Sequence, residues 1–404
     1  MSMLGLVLTA GGARGAYQAG VLRRIAELPS LRDRPQPFEI VAGASAGAIN
    51  GAILAARSER FGEAADETAR VWSELRVDHV FRTDLHALAF GGASLLRDFT
   101  LGSLFGWTGT HGLLDTGPLS ALLERALPAN GIRSAIERGE VYAVAVSATS
   151  YHSGRSYTFI QGRQGHAIWS KSRRVVLPVT LTHQHILASG AIPIVFPPVR
   201  LDSGSGELWF GDGGMRLVAP LSPAIRLGAT RLLAIGVRSV SAAGRLAQRE
   251  AASDHPLPCP PLAQICGVFL NAIFLDHLDT DLDHLRRMNE LVAAHAGNGA
   301  SEPMRRITPL VISPSEDLAL VAQRFASRMP RLVRFVLDGL GTPDAQSADL
   351  MSYLLFDSAY TSTLVDIGYR DADARIGEIE ALISDQLDGE ILGSPEETHL
   401  LPPH

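Results

Sequence analysis

Phe38-Glu39-Ile40-Val41-Ala42-Gly43-Ala44-Ser45-Ala46-Gly47-Ala48-Ile49-Asn50-Gly51-Ala52-Ile53-Leu54-Ala55-Ala56 reads as a strand, a sharp turn and a helix, with one hydroxyl at the bend. The strand is expected over Glu39–Ala42 and the helix from Ala46. Small residues flank the serine in Gly43-Ala44-Ser45-Ala46-Gly47, as a close approach of strand and helix requires. Such a turn strains the serine backbone and pushes its Oγ out of the surface. The helix then aims its free N–H groups and positive dipole end at any charge forming beside that oxygen. This makes the chain readable as an acyl-transfer enzyme.

Gly-x-Ser-x-Gly alone is a weak signal in a chain with 39 glycines, so context has to support it. At the N-terminus, Leu4–Thr9 reads as a buried strand running into Gly11-Gly12-Ala13-Arg14-Gly15 and a helix through Tyr17, Gly20, Val21, Leu22 and Ile25. A glycine loop between strand and helix points several backbone N–H groups at one spot, a ready anion site. In an ester hydrolase that anion is the tetrahedral oxyanion, for which one donor is typically worth ~2.7–4 kcal/mol. Two other readings stay open: a purely structural glycine turn, or a dinucleotide fingerprint. Ala10-x-Gly12-x-x-Gly15 nearly fits the latter, with Glu27, Asp33 or Glu39 as ribose acid, though none clearly ends a second strand. The other context is Trp209-Phe210-Gly211-Asp212-Gly213-Gly214, an aromatic strand end after the acidic hairpin Leu201–Glu207. A carboxylate there is poised to reach into a cleft; the plain alternative is an Asp-Gly turn.

These three motifs together resemble the patatin-like phospholipase family, which shows Gly-Gly-x-Arg-Gly, then Gly-x-Ser-x-Gly, then Asp-Gly-Gly or Asp-Gly-Ala. Ala188-Ser189-Gly190-Ala191-Ile192-Pro193-Ile194-Val195-Phe196-Pro197-Pro198-Val199 is similar to the family's segment before the aspartate. The likeness covers roughly residues 4–240 and, less specifically, Ser352–Asp357 and Leu364–Tyr369. One departure is Ala10, where the family often has a further glycine. The resemblance implies that Ser45 is the nucleophile and Asp212 its proton acceptor, with no histidine between them. It also implies an oxyanion hole from Gly11, Gly12, Ala13, Arg14 and Gly15, with Arg14 bracing the loop, Gly43 and Gly47 shaping the elbow and Gly213 and Gly214 following the aspartate. The substrate implied is a lipid or acyl ester, handled by a phospholipase A or lysophospholipase type of hydrolysis, with no cofactor and no metal. An aspartate of ordinary pKa is a poor base, so the dyad works only where the oxyanion charge is absorbed as it forms and the site is partly dry. The rivals are a Ser-Asp-His esterase using His277 or His284, and a non-catalytic lipid-binding regulatory module.

Strands alternating with helices over the first 240 residues predict an α/β fold with a mostly parallel central sheet flanked by helices, plus a C-terminal helical extension. Candidate strands are Leu4–Thr9, Glu39–Ala42, Val141–Ala148, Ser156–Gln161 and Leu232–Val237. The expected organisation is a catalytic domain at 1–240, a linker at 241–262, a helical region at 263–389 packed on the domain, and a disordered tail at 390–404. Val80–Gly117 is apolar and glycine-interrupted, read either as a mobile cover or as ordinary packing. A helix from Gly117 through Leu127 takes Asp115 or Thr116 as cap and Pro118 in its first turn. A net charge of -6 without a long basic block argues against nucleic-acid binding. Cys259 and Cys266 fit no disulfide framework, and no run of 18 apolar residues spans a membrane, so the expected location is cytoplasmic with any membrane contact peripheral.

Overall fold

The computed structural model of the protein describes residues 2–82, 112, 114–169, 173–239, 262–274, 277–294, 305–329 and 348–386. Nine strands form one sheet among them: β1 (Leu4–Leu8), β2 (Ile40–Ala44), β3 (Ala143–Ser150), β4 (Ser156–Gly162), β5 (Arg174–Pro178), β6 (Val199–Asp202), β7 (Glu207–Asp212), β8 (Arg231–Ile235) and β9 (Thr308–Ile312). Their order is β5-β4-β3-β2-β1-β8-β9, and the β6–β7 hairpin joins through β7 to β3. The central run from β3 to β9 is parallel throughout; β4 and β7 pair antiparallel with β3. All five strands read from the sequence are present, and the hairpin around Leu201–Glu207 is β6–β7.

The helices are α1 (Gly15–Ala26), α2 (Ala46–Ala56), α3 (Phe61–Ser73), α4 (Val77–Val80), α5 (Gly117–Ala126), α6 (Gly131–Arg138), α7 (His183–Ser189), α8 (Ser222–Leu227), α9 (Leu262–Phe274), α10 (His277–Ala294), α11 (Leu318–Gln323), α12 (Ala348–Leu354), α13 (Ser358–Ala374) and α14 (Ile376–Ile383). They flank the sheet on both faces because the central strands are apolar on both. Leu4, Leu6 and Leu8 of β1 enter one core with α1, α2, α3 and α13, while Val7 enters a second with α8 and α10. Helix α10 buries Leu278, Leu282 and Leu285, spaced to give one apolar stripe under a charged outer face.

Two glycines let α1 and α13 cross at backbone contact. A Cβ on Gly20 would lie 1.9 Å from the Val365 carbonyl oxygen, and one on Gly368 would lie 2.1 Å from that of Tyr17. The residue 263–389 stretch, expected to be helical, also supplies β9, which pairs in parallel with β8 from Arg231–Thr308 to Ile235–Ile312. Asp115 Oδ1 accepts the Gly117 N–H at 2.8 Å at the start of α5. Most of the Val80–Gly117 segment, residues 241–261 of the linker, the tail and residues 330–347 lie outside the described residues, Cys259 among them.

Candidate active site

Ser45 follows β2 and precedes α2 at the carboxyl edge of the sheet. Its backbone sits at φ 54° and ψ −125°, a left-handed conformation that a side chain disfavours. The neighbours explain why it persists. A Cβ on Gly43 would come within 2.4 Å of the Gly47 carbonyl oxygen, and one on Gly47 within 2.2 Å of that of Leu8. The Ser45 N–H donates to Ser189 Oγ at 2.9 Å, and Ser189 Oγ donates to the Ser147 carbonyl at 2.6 Å. Ser45 stands at the N-cap of α2, yet its hydroxyl makes no capping bond. The strained backbone is thus held in place by the surrounding structure.

Asp212 ends β7, opposite Ala148 of β3, and is fully buried. Its N–H donates to the Ala191 carbonyl at 2.9 Å, and its own carbonyl accepts Thr149 Oγ1 at 2.8 Å. Gly213 follows because its Cα lies against the Ser147 carbonyl, 2.0 Å from where a Cβ would stand. Oδ1 accepts the Gly214 N–H at 2.8 Å, whereas Oδ2 is buried without a well-formed hydrogen bond. Burial pushes the carboxyl up to about 7; the Ser45 hydroxyl and the Gly214 N–H pull it down, but less. The same carboxylate acts on Tyr151, whose hydroxyl lies over Gly211 and is pushed up to about 12, chiefly by burial.

The glycine loop closes the third side. Gly12–Arg14 forms a single 3-10 turn, with Gly12 at φ 56°. Gly12 and Ser45 line one cavity together with Ile49, Ile53, Leu122, Leu123 and Phe196, so Ser45 borders an apolar space between α2, α3, α5 and the segment that follows α7. Behind it, Asn50 ties the elbow helix to the loop helix. Its Nδ2 donates to Gly15 O and Gln18 Oε1, both at 3.0 Å, and its Oδ1 accepts the Trp72 indole N–H at 2.6 Å.

The three predicted segments therefore meet. Neither His277 nor His284 is among the groups that act on Asp212; both act on Asp281, whose carboxylate accepts the Leu221 N–H at 2.8 Å, although His277 lines a cavity with Ala44 and Gly214. Among the described residues no three His, Cys, Asp or Glu side chains group as metal ligands. Sequence reasoning missed Ser189 and Tyr151. Ser189 lay in the quoted Ala188–Val199 segment, but only the packing of α7 on β3 reveals its bond to Ser45.

Fold and site define the class: a layered α/β protein with a strand–serine–helix elbow opening on an apolar cavity. The chain belongs to the patatin-like phospholipase family, whose model matches residues 6–225. It is similar in course to human GIVD cytosolic phospholipase A2 in complex with methyl gamma-linolenyl fluorophosphonate. There the identity is 14% and the TM-score 0.42, over 95% of this chain and 59% of that one. VipD from Legionella pneumophila is similar at 13% identity and TM-score 0.33, over 96% of this chain and 67% of that one. ExoU from Pseudomonas aeruginosa, in complex with SpcU, gives 14% and 0.27, over 95% and 80%. The chain thus spans 59% of the human structure's length. Among curated proteins none matches it. Among the described residues no helix is long and apolar enough to cross a membrane.

Proposed function

We propose that the protein hydrolyses acyl esters of lipids through a Ser45–Asp212 dyad. The observation that carries this reading is the buried Asp212 carboxyl, with one oxygen held by Gly214 and the other lacking a formed bond, acting on the Ser45 hydroxyl. Family membership supports lipid esters as the substrate class, and the apolar cavity beside Ser45 suits an acyl chain.

In the first step Ser45 Oγ attacks the ester carbonyl carbon while its proton passes to Asp212 Oδ2. The carbonyl oxygen becomes the oxyanion, received by the N–H groups of Gly12 and Ala13 and the N-terminus of α2. Collapse breaks the bond to the alcohol, which leaves with the proton from Asp212. Water then repeats the sequence: it gives a proton to Asp212, forms a second tetrahedral intermediate and releases the fatty acid, and the proton returns to Ser45. A carboxyl near pKa 7 in a dry site is a stronger base than an exposed aspartate, which removes the difficulty of a dyad without histidine. Substrates drawn from a bilayer surface make a peripheral membrane contact part of this reading.

Turnover of a short-chain p-nitrophenyl ester is the test. Ser45→Ala and Asp212→Asn are expected to lose at least about a thousandfold in kcat while still unfolding cooperatively. His277→Ala and His284→Ala should keep wild-type rates. Undiminished hydrolysis by Ser45→Ala would end the proposal.

A further inference from the structure

The family match stops at residue 225, yet the glycine loop is held from more than a hundred residues beyond it. Arg14, with 4% of its side chain exposed, donates from Nη2 to Asp349 Oδ1 at 3.1 Å and from Nε to Ser352 Oγ at 2.8 Å. Ser352 Oγ donates in turn to the Asp349 carbonyl at 2.6 Å, which fixes the lone pair it offers to Arg14. The guanidinium lies 4.5 Å from the centre of the Tyr353 ring. The Tyr353 carbonyl oxygen closes on the loop itself, 2.5 Å from where a Cβ on Gly12 would stand. All three residues belong to α12, whose Tyr353 hydroxyl also donates to Asn271 of α9 at 3.1 Å.

We propose that α12 is the outer wall of the oxyanion site, with Asp349 and Ser352 as positioning residues that act through Arg14 on the Gly12 and Ala13 N–H groups. The proposal rests on the hydrolase reading above. Within the loop only one turn bond, from the Arg14 N–H to the Gly11 carbonyl at 3.1 Å, and the side chain of Arg14 are on hand to set its shape, and Gly12 holds a left-handed backbone conformation. The contacts from α12 add a brace from outside, through Arg14 and against Gly12. Donors aimed at an oxyanion act only when correctly placed, and that charge exists only beyond the ground state. Loosening the brace therefore lowers kcat and leaves KM nearly unchanged.

The experiment measures kcat and KM of the full chain on a soluble short-chain ester, with kcat expressed per serine titrated by a fluorophosphonate. Asp349→Ala/Ser352→Ala should lower kcat per titrated serine about 10- to 100-fold with KM within about twofold. Asp349→Asn, at a side chain 35% exposed, should fold like the wild type and lose about 3- to 10-fold, and Asp349→Glu should recover most of it. Asp373→Asn removes a comparable ion pair, to Arg24 at 2.6 Å, away from the loop and should change nothing. Wild-type kcat per titrated serine in Asp349→Asn overturns the role of α12, as does a loss showing only as fewer titratable serines. Either result leaves the hydrolase reading standing, because that reading falls only with activity in Ser45→Ala.

Discussion

Ser45 and Asp212 each hold a state that an isolated residue avoids, and each is held there by neighbours. For Ser45 the cost lies in its left-handed backbone, which glycine adopts freely. Both Ser45→Gly and Ser45→Ala should be inactive. The glycine variant should be the more stable by about 1 kcal/mol in urea unfolding, because alanine keeps the strained Cβ. For Asp212 the cost is ionisation in a dry site. Its carboxyl is raised from the ordinary 3.8 to about 7, so folding favours the protonated form. Stability is then full at acid pH and declines as pH rises through 7, by up to about 4 kcal/mol. Asp212→Asn should therefore unfold like the wild type near pH 4 and at higher denaturant than the wild type at pH 9. Activity runs the other way. In the proposed dyad the base works ionised, so kcat/KM should rise along an acid limb centred near pH 7. Both residues were legible in the sequence because their glycine neighbours announce a tight backbone. Ser189 was not, since its partner Ser45 lies far away in the chain and nothing local marks a serine that accepts a backbone N–H.

At the level of elements, the strands that carry the site were readable as apolar runs next to glycine-rich turns. β9 was not. Thr308-Pro309-Leu310-Val311-Ile312 is short, contains a proline and stands in a helical neighbourhood, and only β8 gives it a register. The α1–α13 crossing was equally hidden, because Gly20 and Gly368 look like weak points in helices until their partners are known. Gly20→Ala should cost about 1–3 kcal/mol in urea unfolding, since the added methyl meets the Val365 backbone and the helices must part. Because α1 begins at Gly15, that separation starts at the end of the glycine loop, so on the proposed function activity should fall together with stability.

Over the whole molecule the sheet puts its working edge between two unlike environments, an apolar cavity on the elbow side and a cavity with Arg238, His277 and Asp279 among its lining residues on the other. The first should govern acyl preference. Leu122 of α5 lines it and is half-buried, so Leu122→Trp should fill space without disturbing the elbow. Rates on acetyl and butyryl esters should stay within about threefold, while those on esters of ten carbons or more should drop about tenfold or further, each added methylene being worth about 0.8 kcal/mol of burial. Chain-length profiles of both proteins, taken side by side, measure this. The parallel seating of β9 on β8 has a consequence for anyone shortening the protein. Cutting after residue 240 would strip β8 of its outer neighbour and bare a row of unpaired amides flanked by Leu232, Leu233 and Ile235. Such an edge invites other chains to pair with it, so the shortened protein should be recovered mainly as aggregate, whereas the full chain stays dispersed.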